Sequence, residues 1–272
     1  MDRRPVTPLP AFSARVRAGF AGGAAAYDHQ ATLQRAIAWR LAHACRSLPL
    51  PPGPAADLGA GTGLLARALA DQPQATSPAS GHETPAARAR QLLQLDLCTE
   101  LLARNPLAIP TTSRVWDLDQ GLPRELDGAA FLSSSFALQW LSRPATQLEH
   151  WCQALAPGGW LGLAVPTAAS FPQWHRAAER AGVPFTGLAL PEAADLEAVA
   201  RRRLEMWRLQ RLRFTRPGGD GRQFLHQLRA LGAGTSAHPP LSAPQLRRLL
   251  QHWPAGEGIT WEVLLLIGQR PA

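Results

Sequence analysis

Apolar positions in QATLQRAIAWRLAHACR (30–46) recur at helical spacing, with Leu33, Ile37, Leu41 and Ala44 on one face and Arg35, Arg40 and Arg46 elsewhere. This predicts an amphipathic helix, stopped by the proline-rich stretch Leu48 to Pro54. Beyond it the pattern changes. AADL, LLQLDL, TSRVWDL, GAAFLSS and WLGLAV are short apolar runs, as expected of strands covered on both faces. Helical segments alternate with them at GLLARALA, around Thr99 to Asn105 and from Arg143 to Leu155. The alternation predicts an α/β fold, a parallel sheet with helices on both faces. APGGW (156–160) reads as a glycine turn between a helix and a strand, and 71–90, rich in Pro, Ser, Thr and Ala without periodicity, reads as a surface loop insertion. Past Pro166 the chain turns helical and arginine-rich before GITWEVLLLIG closes it as an apolar strand.

Composition narrows the class. Of 272 residues, 46% are hydrophobic and 18% charged, enough to fold around a large core. No apolar run approaches the roughly 20 residues of a membrane span, and the first 30 residues show no secretory h-region. Cys45, Cys98 and Cys152 are scattered, which predicts buried thiols in a reducing, cytoplasmic setting and neither a disulfide frame nor a metal site. The net charge is +8 and all 28 basic residues are arginine. The absence of lysine excludes a Walker A loop and Schiff-base chemistry, while the positive balance fits an acidic partner.

The chemistry centres on Asp57-Leu58-Gly59-Ala60-Gly61-Thr62-Gly63. Its glycines allow a tight strand-to-helix turn and close approach of a ligand to the main chain. Gly61, Gly63 and Ala66 also satisfy a dinucleotide fingerprint, but a carboxylate at the mouth of the turn repels a pyrophosphate and suits a cation. S-adenosylmethionine carries an ammonium and a sulfonium, and no phosphate. Asp96 closes the next strand, where an acid would accept hydrogen bonds from ribose hydroxyls, and Asp117 closes the one after, where adenine would lie.

The three acidic strand ends, with APGGWLGLAV downstream, resemble the Rossmann-like S-adenosylmethionine-dependent methyltransferases. AGFAGGAAAYDHQATLQ, SSFALQWLSRP, AASFPQWHRA, LRALGAGT and LSAPQLRRLLQHWP follow in an order similar to the malonyl-[acyl-carrier-protein] O-methyltransferases of biotin synthesis, from about Phe12 to the C-terminus. The resemblance implies a seven-stranded, mostly parallel sheet with a helical cap. It divides the chain into a cofactor-covering segment (1–47), a binding core (48–166), a substrate cap containing a sixth strand (167–250) and a closing strand (251–272). By the same resemblance Tyr27 closes over the methionine end of the cofactor. Asp57, Gly59, Gly61 and Gly63 hold its amino-acid moiety, Asp96 with Leu97 its ribose, Asp117 with Leu118 its adenine, and Ser134 and Ser135 lie near it. Gln139 and Trp140 face the acceptor, with Arg143, Trp174 and His175 as further substrate contacts.

A malonyl carboxylate is ionised at neutral pH, so its methylation needs alignment and water exclusion rather than a general base. His29, His150 and His175 are base candidates by location only. The partner implied is a malonyl-loaded acidic acyl carrier protein, steered by Arg201-Arg202-Arg203 in RRRLEMWRLQRLRF and by Arg247-Arg248. Three alternatives stand beside this reading: a small free carboxylic acid as acceptor, a nucleic-acid substrate, or cofactor binding without turnover. Nucleic acid is disfavoured because SSSFALQW stands where amino-methylating DNA enzymes place Asp/Asn-Pro-Pro-aromatic.

Overall fold

A computed structural model describes residues 12–73 and 83–272. The chain opens with helices α1 (Phe12–Gly23), α2 (Tyr27–Gln30) and α3 (Thr32–Cys45). Strands β1 (Ala55–Leu58), β2 (Leu93–Asp96), β3 (Ser113–Val115), β4 (Ala129–Ser135) and β5 (Leu155–Pro166) follow, separated by α4 (Leu64–Ala70), α5 (Pro85–Arg88), α6 (Thr99–Leu102) and α7 (Pro144–Ala154). The remainder is α8 (Pro172–Ala181), α9 (Ala193–Arg203), β6 (Glu205–Arg216), α10 (Gly221–Ala230), α11 (Ala243–Gln251) and β7 (Ile259–Gln269). The seven strands lie in the order β3-β2-β1-β4-β5-β7-β6, and β7 alone runs antiparallel to its neighbours.

Strand alternation builds two cores from one sheet. On one face Phe131, Trp160, Ala164, Val263, Leu265 and Ile267 pack with Ile37 and Leu41 of α3 and Leu65 and Leu69 of α4. On the other, Leu132, Leu161, Leu163, Leu264 and Leu266 pack with Leu148 and Trp151 of α7 and Leu196 of α9. A third cluster joins Phe171, Trp174, Phe224, Leu249 and Trp253 of the segment after β5. Because β1–β5 are parallel, their carboxyl ends open along one edge of the sheet. The chain leaves β1 toward β2 on one side and meets β4 on the other, the switch point where α/β sheets bind ligands.

Three sequence expectations change. APGGW is not a turn before the strand but part of β5, since Leu155 already pairs with Ala129 and the register shifts between Ala129 and Phe131. Gly159 allows the shift, because a Cβ there would meet the Ala129 carbonyl oxygen at 2.5 Å. The insertion read over 71–90 is structured at its end. Glu83 bridges Leu50, Thr84 caps α5, and Pro85, Ala86 and Ala89 are buried; the stretch 74–82 lies outside the described residues. Finally, Arg201–Arg203 end α9 at the amino end of β6, the sheet edge opposite the strand carboxyl ends.

Mid-strand Gly162 sets how closely α3 approaches β5, because a Cβ at that position would lie 2.9 Å from the Cys45 sulfur. Gly162→Val should lower stability by about 1–3 kcal/mol through overpacking, read as a shift in urea midpoint at constant m-value.

Candidate active site

At the β1 end the backbone turns through Gly59 and Gly63, at φ +74° and +81°. Side chains are excluded at both. A Cβ on Gly59 would fall 2.1 Å from that of Ala137, and one on Gly63 would fall 2.3 Å from Asn105 Oδ1. The Gly61 N–H donates to Asp96 Oδ2 at 2.7 Å, and the Cys98 N–H donates to Asp96 Oδ1 at 2.7 Å. One carboxylate thus ties the glycine turn to the β2 end.

Asp57 is less well served. Its Oδ1 accepts from the Ser133 hydroxyl at 3.2 Å, and its buried Oδ2 has no hydrogen-bond partner. Burial raises the Asp57 carboxyl to about 7, a rise that Asp96 reinforces and the Ser133 hydrogen bond opposes. Asp96 is raised to about 6, again by burial, against the N–H bonds it accepts. Both acids line one cavity of about 930 Å³, its open mouth included, together with Gly59, Gly61, Leu97, Asp117 and Leu118.

The N-terminal segment closes this cavity. Asp28 accepts from the Thr62 hydroxyl at 2.6 Å and pairs with Arg67 at 2.9 Å, fastening α2 to the glycine turn and α4. Tyr27 is thereby placed in the cavity wall, its hydroxyl pKa raised by burial and by Asp96 and Asp28. A second, larger cavity lies beside the first. The two share Phe20, Tyr27, Gln34, Phe136 and Trp140, so an aromatic junction separates them. Phe20 meets Trp140 edge-on at 5.3 Å and Tyr27 at 6.2 Å. Phe136 and Phe171, both lining the second cavity, hold positive φ (57° and 59°), a conformation costing about 1–3 kcal/mol each. Both pack on Trp261, at 6.2 and 4.3 Å.

Most of the residues singled out in the sequence converge here, and four do not. Gly63 is outside the cavity wall and packs on Asn105. Ser134 turns into the sheet, its hydroxyl donating to the Leu58 carbonyl at 2.7 Å; Ser135 lines the first cavity instead, with its buried Oγ unpartnered. Arg143 is the exposed residue preceding α7 and lines neither cavity. His175 is exposed and stacks on Phe185 at 3.9 Å, on the side of α8 away from the second cavity. Gln139 and Trp174 do line that cavity. Sequence reasoning missed Asp28, which no spacing rule distinguishes from a helix-start acid. It also missed Asp119, which lines the first cavity while accepting from the Ser142 N–H and hydroxyl at 2.8 and 2.9 Å.

The residues fit a cationic ligand that carries a ribose. An unpartnered carboxylate oxygen, an acid at the β2 end and a main chain open to approach at Gly61 are the parts such a ligand needs. No group of three or more His, Cys, Asp or Glu among the described residues is arranged to hold a metal.

Asp57 and Asp96, with folded pKa values above their unfolded ones, favour the folded state at low pH; that contribution is lost as pH rises from about 4 to about 7. A bound cation reverses the cost by favouring the carboxylate. Affinity for S-adenosylmethionine should therefore fall about tenfold between pH 7 and 5.5, measured by calorimetry. Asp57→Asn should weaken that pH dependence, leaving the part that Asp96 carries, lower affinity at least tenfold at pH 7.5, and stabilise the free protein there by ~1–3 kcal/mol.

The chain matches the methyltransferase domain family over residues 27–233, more than half its length. It is similar to the biotin biosynthesis bifunctional protein BioCD of Bordetella avium, 29% identical over 238 residues that cover 86% of this chain and 47% of that one. It is also similar to the malonyl-[acyl-carrier protein] O-methyltransferase of Laribacter hongkongensis, 35% identical over 151 residues covering 54% and 48%. The chain thus spans about half the length of these curated relatives. Among solved structures, a putative methyltransferase from Bacillus halodurans C-125 shares the fold with a TM-score of 0.56 at 13% identity, over 87% of this chain and 100% of that one. The chain belongs to the methyltransferase domain family, a Rossmann-like fold whose cofactor here is S-adenosylmethionine.

Proposed function

We propose that the protein methylates the free carboxylate of a malonyl thioester carried by an acyl carrier protein, the reaction named for its relatives. The observation that carries this reading is the chemistry of the second cavity. Among the described residues no Asp or Glu lines it, its walls are largely aromatic and aliphatic, and its arginines are Arg15 and Arg229. An amine acceptor would need a counter-charge, which no carboxylate in that wall supplies, and a base, for which His238 is the one imidazole among the lining residues. A carboxylate acceptor needs neither.

In this reading Asp57 and the Gly59–Gly61 backbone hold the amino-acid end of S-adenosylmethionine, Asp96 with Leu97 its ribose, and Asp117 with Leu118 its adenine. The cofactor supplies an electrophilic methyl group. Tyr27, Phe20 and Trp140, at the junction, orient the carboxylate toward the first cavity and exclude water from it. Removing water leaves the carboxylate oxygen free to attack, and fixed alignment supplies much of the rate.

The partner enters from the rim of the second cavity. From 221 to 253 the chain has Arg222, Arg229, Arg247 and Arg248 and no acidic residue, and none of these four makes an ion pair among the described residues. Arg203, by contrast, pairs with Glu149, at the sheet edge remote from the cavities. In this reading the carrier docks at the α10–α11 rim rather than at Arg201–Arg203.

Incubation with labelled methyl donor should transfer label to malonyl-carrier protein well ahead of free malonate or RNA; faster labelling of RNA or malonate overturns the reading. Charge reversal at Arg229, Arg247 and Arg248 should raise the apparent KM for the carrier about tenfold at low salt, with the effect shrinking at 0.5 M salt. Reversal at Arg201–Arg203 should leave that KM within about twofold.

A further inference from the structure

Two glycine-bearing stretches far apart in the chain, AGFAGG in α1 and LGAGT after α10, meet in the structure. A Cβ on Gly19 would fall 2.7 Å from the Gly232 carbonyl oxygen, and one on Gly23 would fall 2.8 Å from the Ala230 carbonyl oxygen. From the other side, a Cβ on Gly232 would fall 2.5 Å from the Gly19 carbonyl oxygen and 2.6 Å from the Phe20 Cα. Helix and turn therefore touch main chain to main chain. Two hydrogen bonds flank the contact. Arg15 Nη1 donates to the Ser236 carbonyl at 3.0 Å, and the Thr235 hydroxyl donates to the Arg15 carbonyl at 3.4 Å.

Local structure accounts for only part of this. Gly232 ends α10 at φ +74°, its N–H bonding the Arg229 carbonyl and the Ala233 N–H bonding the Leu228 carbonyl, the usual glycine end of a helix. Gly19 and Gly23 hold no positive φ. Within a helix such glycines cost about 0.5–1 kcal/mol against alanine, so helix stability does not explain them. What they supply is close approach. Gly22, in the same helix, has open space around it, so the approach is confined to one face.

Little else holds α1. Only its Val16 and Gly23 are buried, and its Phe20 and Ala21 pack on a small cluster of Ala24, Cys98 and Leu101, apart from the three larger cores. Yet Phe20 borders both cavities and meets Trp140 and Tyr27 edge-on at their junction. Gly232 borders neither cavity. Its contact with the Phe20 backbone is the link between the cap and the junction.

We propose that the turn after α10 is a seat that positions Phe20, so that closure over the cofactor depends on the cap. Gly19, Gly23 and Gly232 are positioning residues that act through the Phe20 ring and touch no ligand. Main chain on both sides leaves no flexible side chain to yield, and a displacement of about 1 Å at the junction is enough to spoil the fit. Cofactor affinity reports the seat whichever acceptor is methylated.

Alanine substitutions in the full chain test the seat, because Gly19 and Gly22 share one helix and differ in what surrounds them. Gly22→Ala should leave the Kd for S-adenosylmethionine within about twofold by calorimetry. Gly19→Ala and Gly232→Ala should each raise it about tenfold, in protein whose urea transition stays cooperative. Because Gly232 acts through Phe20, Gly232→Ala combined with Phe20→Ala should bind only about twofold more weakly than Phe20→Ala alone. An equal Kd for Gly19→Ala and Gly22→Ala overturns the proposal, as does a full tenfold effect of Gly232→Ala in the Phe20→Ala background. If Gly232→Ala does not fold, Gly19→Ala replaces it in both comparisons, since the helical backbone at Gly19 accepts alanine.

Discussion

Two carboxylates placed side by side at neighbouring strand ends set the terms for this molecule. Asp57 and Asp96 stand at the carboxyl edge of a parallel sheet, where the turn between β1 and α4 needs backbone donors and acceptors to hold its shape. Asp96 satisfies one of those donors, the Gly61 N–H, and accepts a second bond from the Cys98 N–H beyond its own strand. Asp57 has only Ser133, and its burial beside a second acid is unfavourable in the free protein. A chain would not keep such an arrangement for stability alone, since an uncompensated buried acid costs several kcal/mol less when replaced by a neutral group. A cationic ligand would supply the favourable counterpart, which a pyrophosphate would not.

The same economy governs the acceptor side. An aromatic junction suits the proposed carboxylate nucleophile, which is weakened by hydration and needs no proton acceptor. Keeping that wall closed requires Phe136 and Phe171 in a backbone conformation bulky residues avoid, held by packing against Trp261 and the cap cluster. The strain is local and sits where strand ends give way to the cap. The Asp28 contacts to Thr62 and Arg67 complete the enclosure, making the N-terminal segment part of both cavity walls.

Much of this was legible in the residues. Strand runs, the glycine turn and its acids can be read because periodicity and turn chemistry are local, and a strand that is buried on both faces leaves a continuous apolar signature. Side-chain direction at a strand end is not local in that way. Ser134 and Ser135 are indistinguishable in SSS, and only the pairing of β4 with β1 decides that one hydroxyl bonds Leu58 while the next faces the cavity. Gly63 looked like a ligand contact because the motif is written as one unit, yet its missing side chain makes room for Asn105. Arg143 and His175 were placed by nearness in sequence to motifs, and helix geometry turned both away.

Arginine shows the limit most clearly. With 28 such residues and no lysine, composition offers no contrast between a solvated face and a functional one. Direction through the sheet supplies it. Strand β6 runs parallel to β5, so the dense cluster at its start is carried to the edge away from both cavities, where Glu149 neutralises Arg203. The arginines of α10 and α11 are fewer and unremarkable in sequence, but they stand in a stretch without acids, and one of them, Arg229, lines the second cavity. A charge becomes informative when its partner is missing and its surroundings exclude water. Those two conditions are set by topology and packing, and no count of residues along the chain contains them.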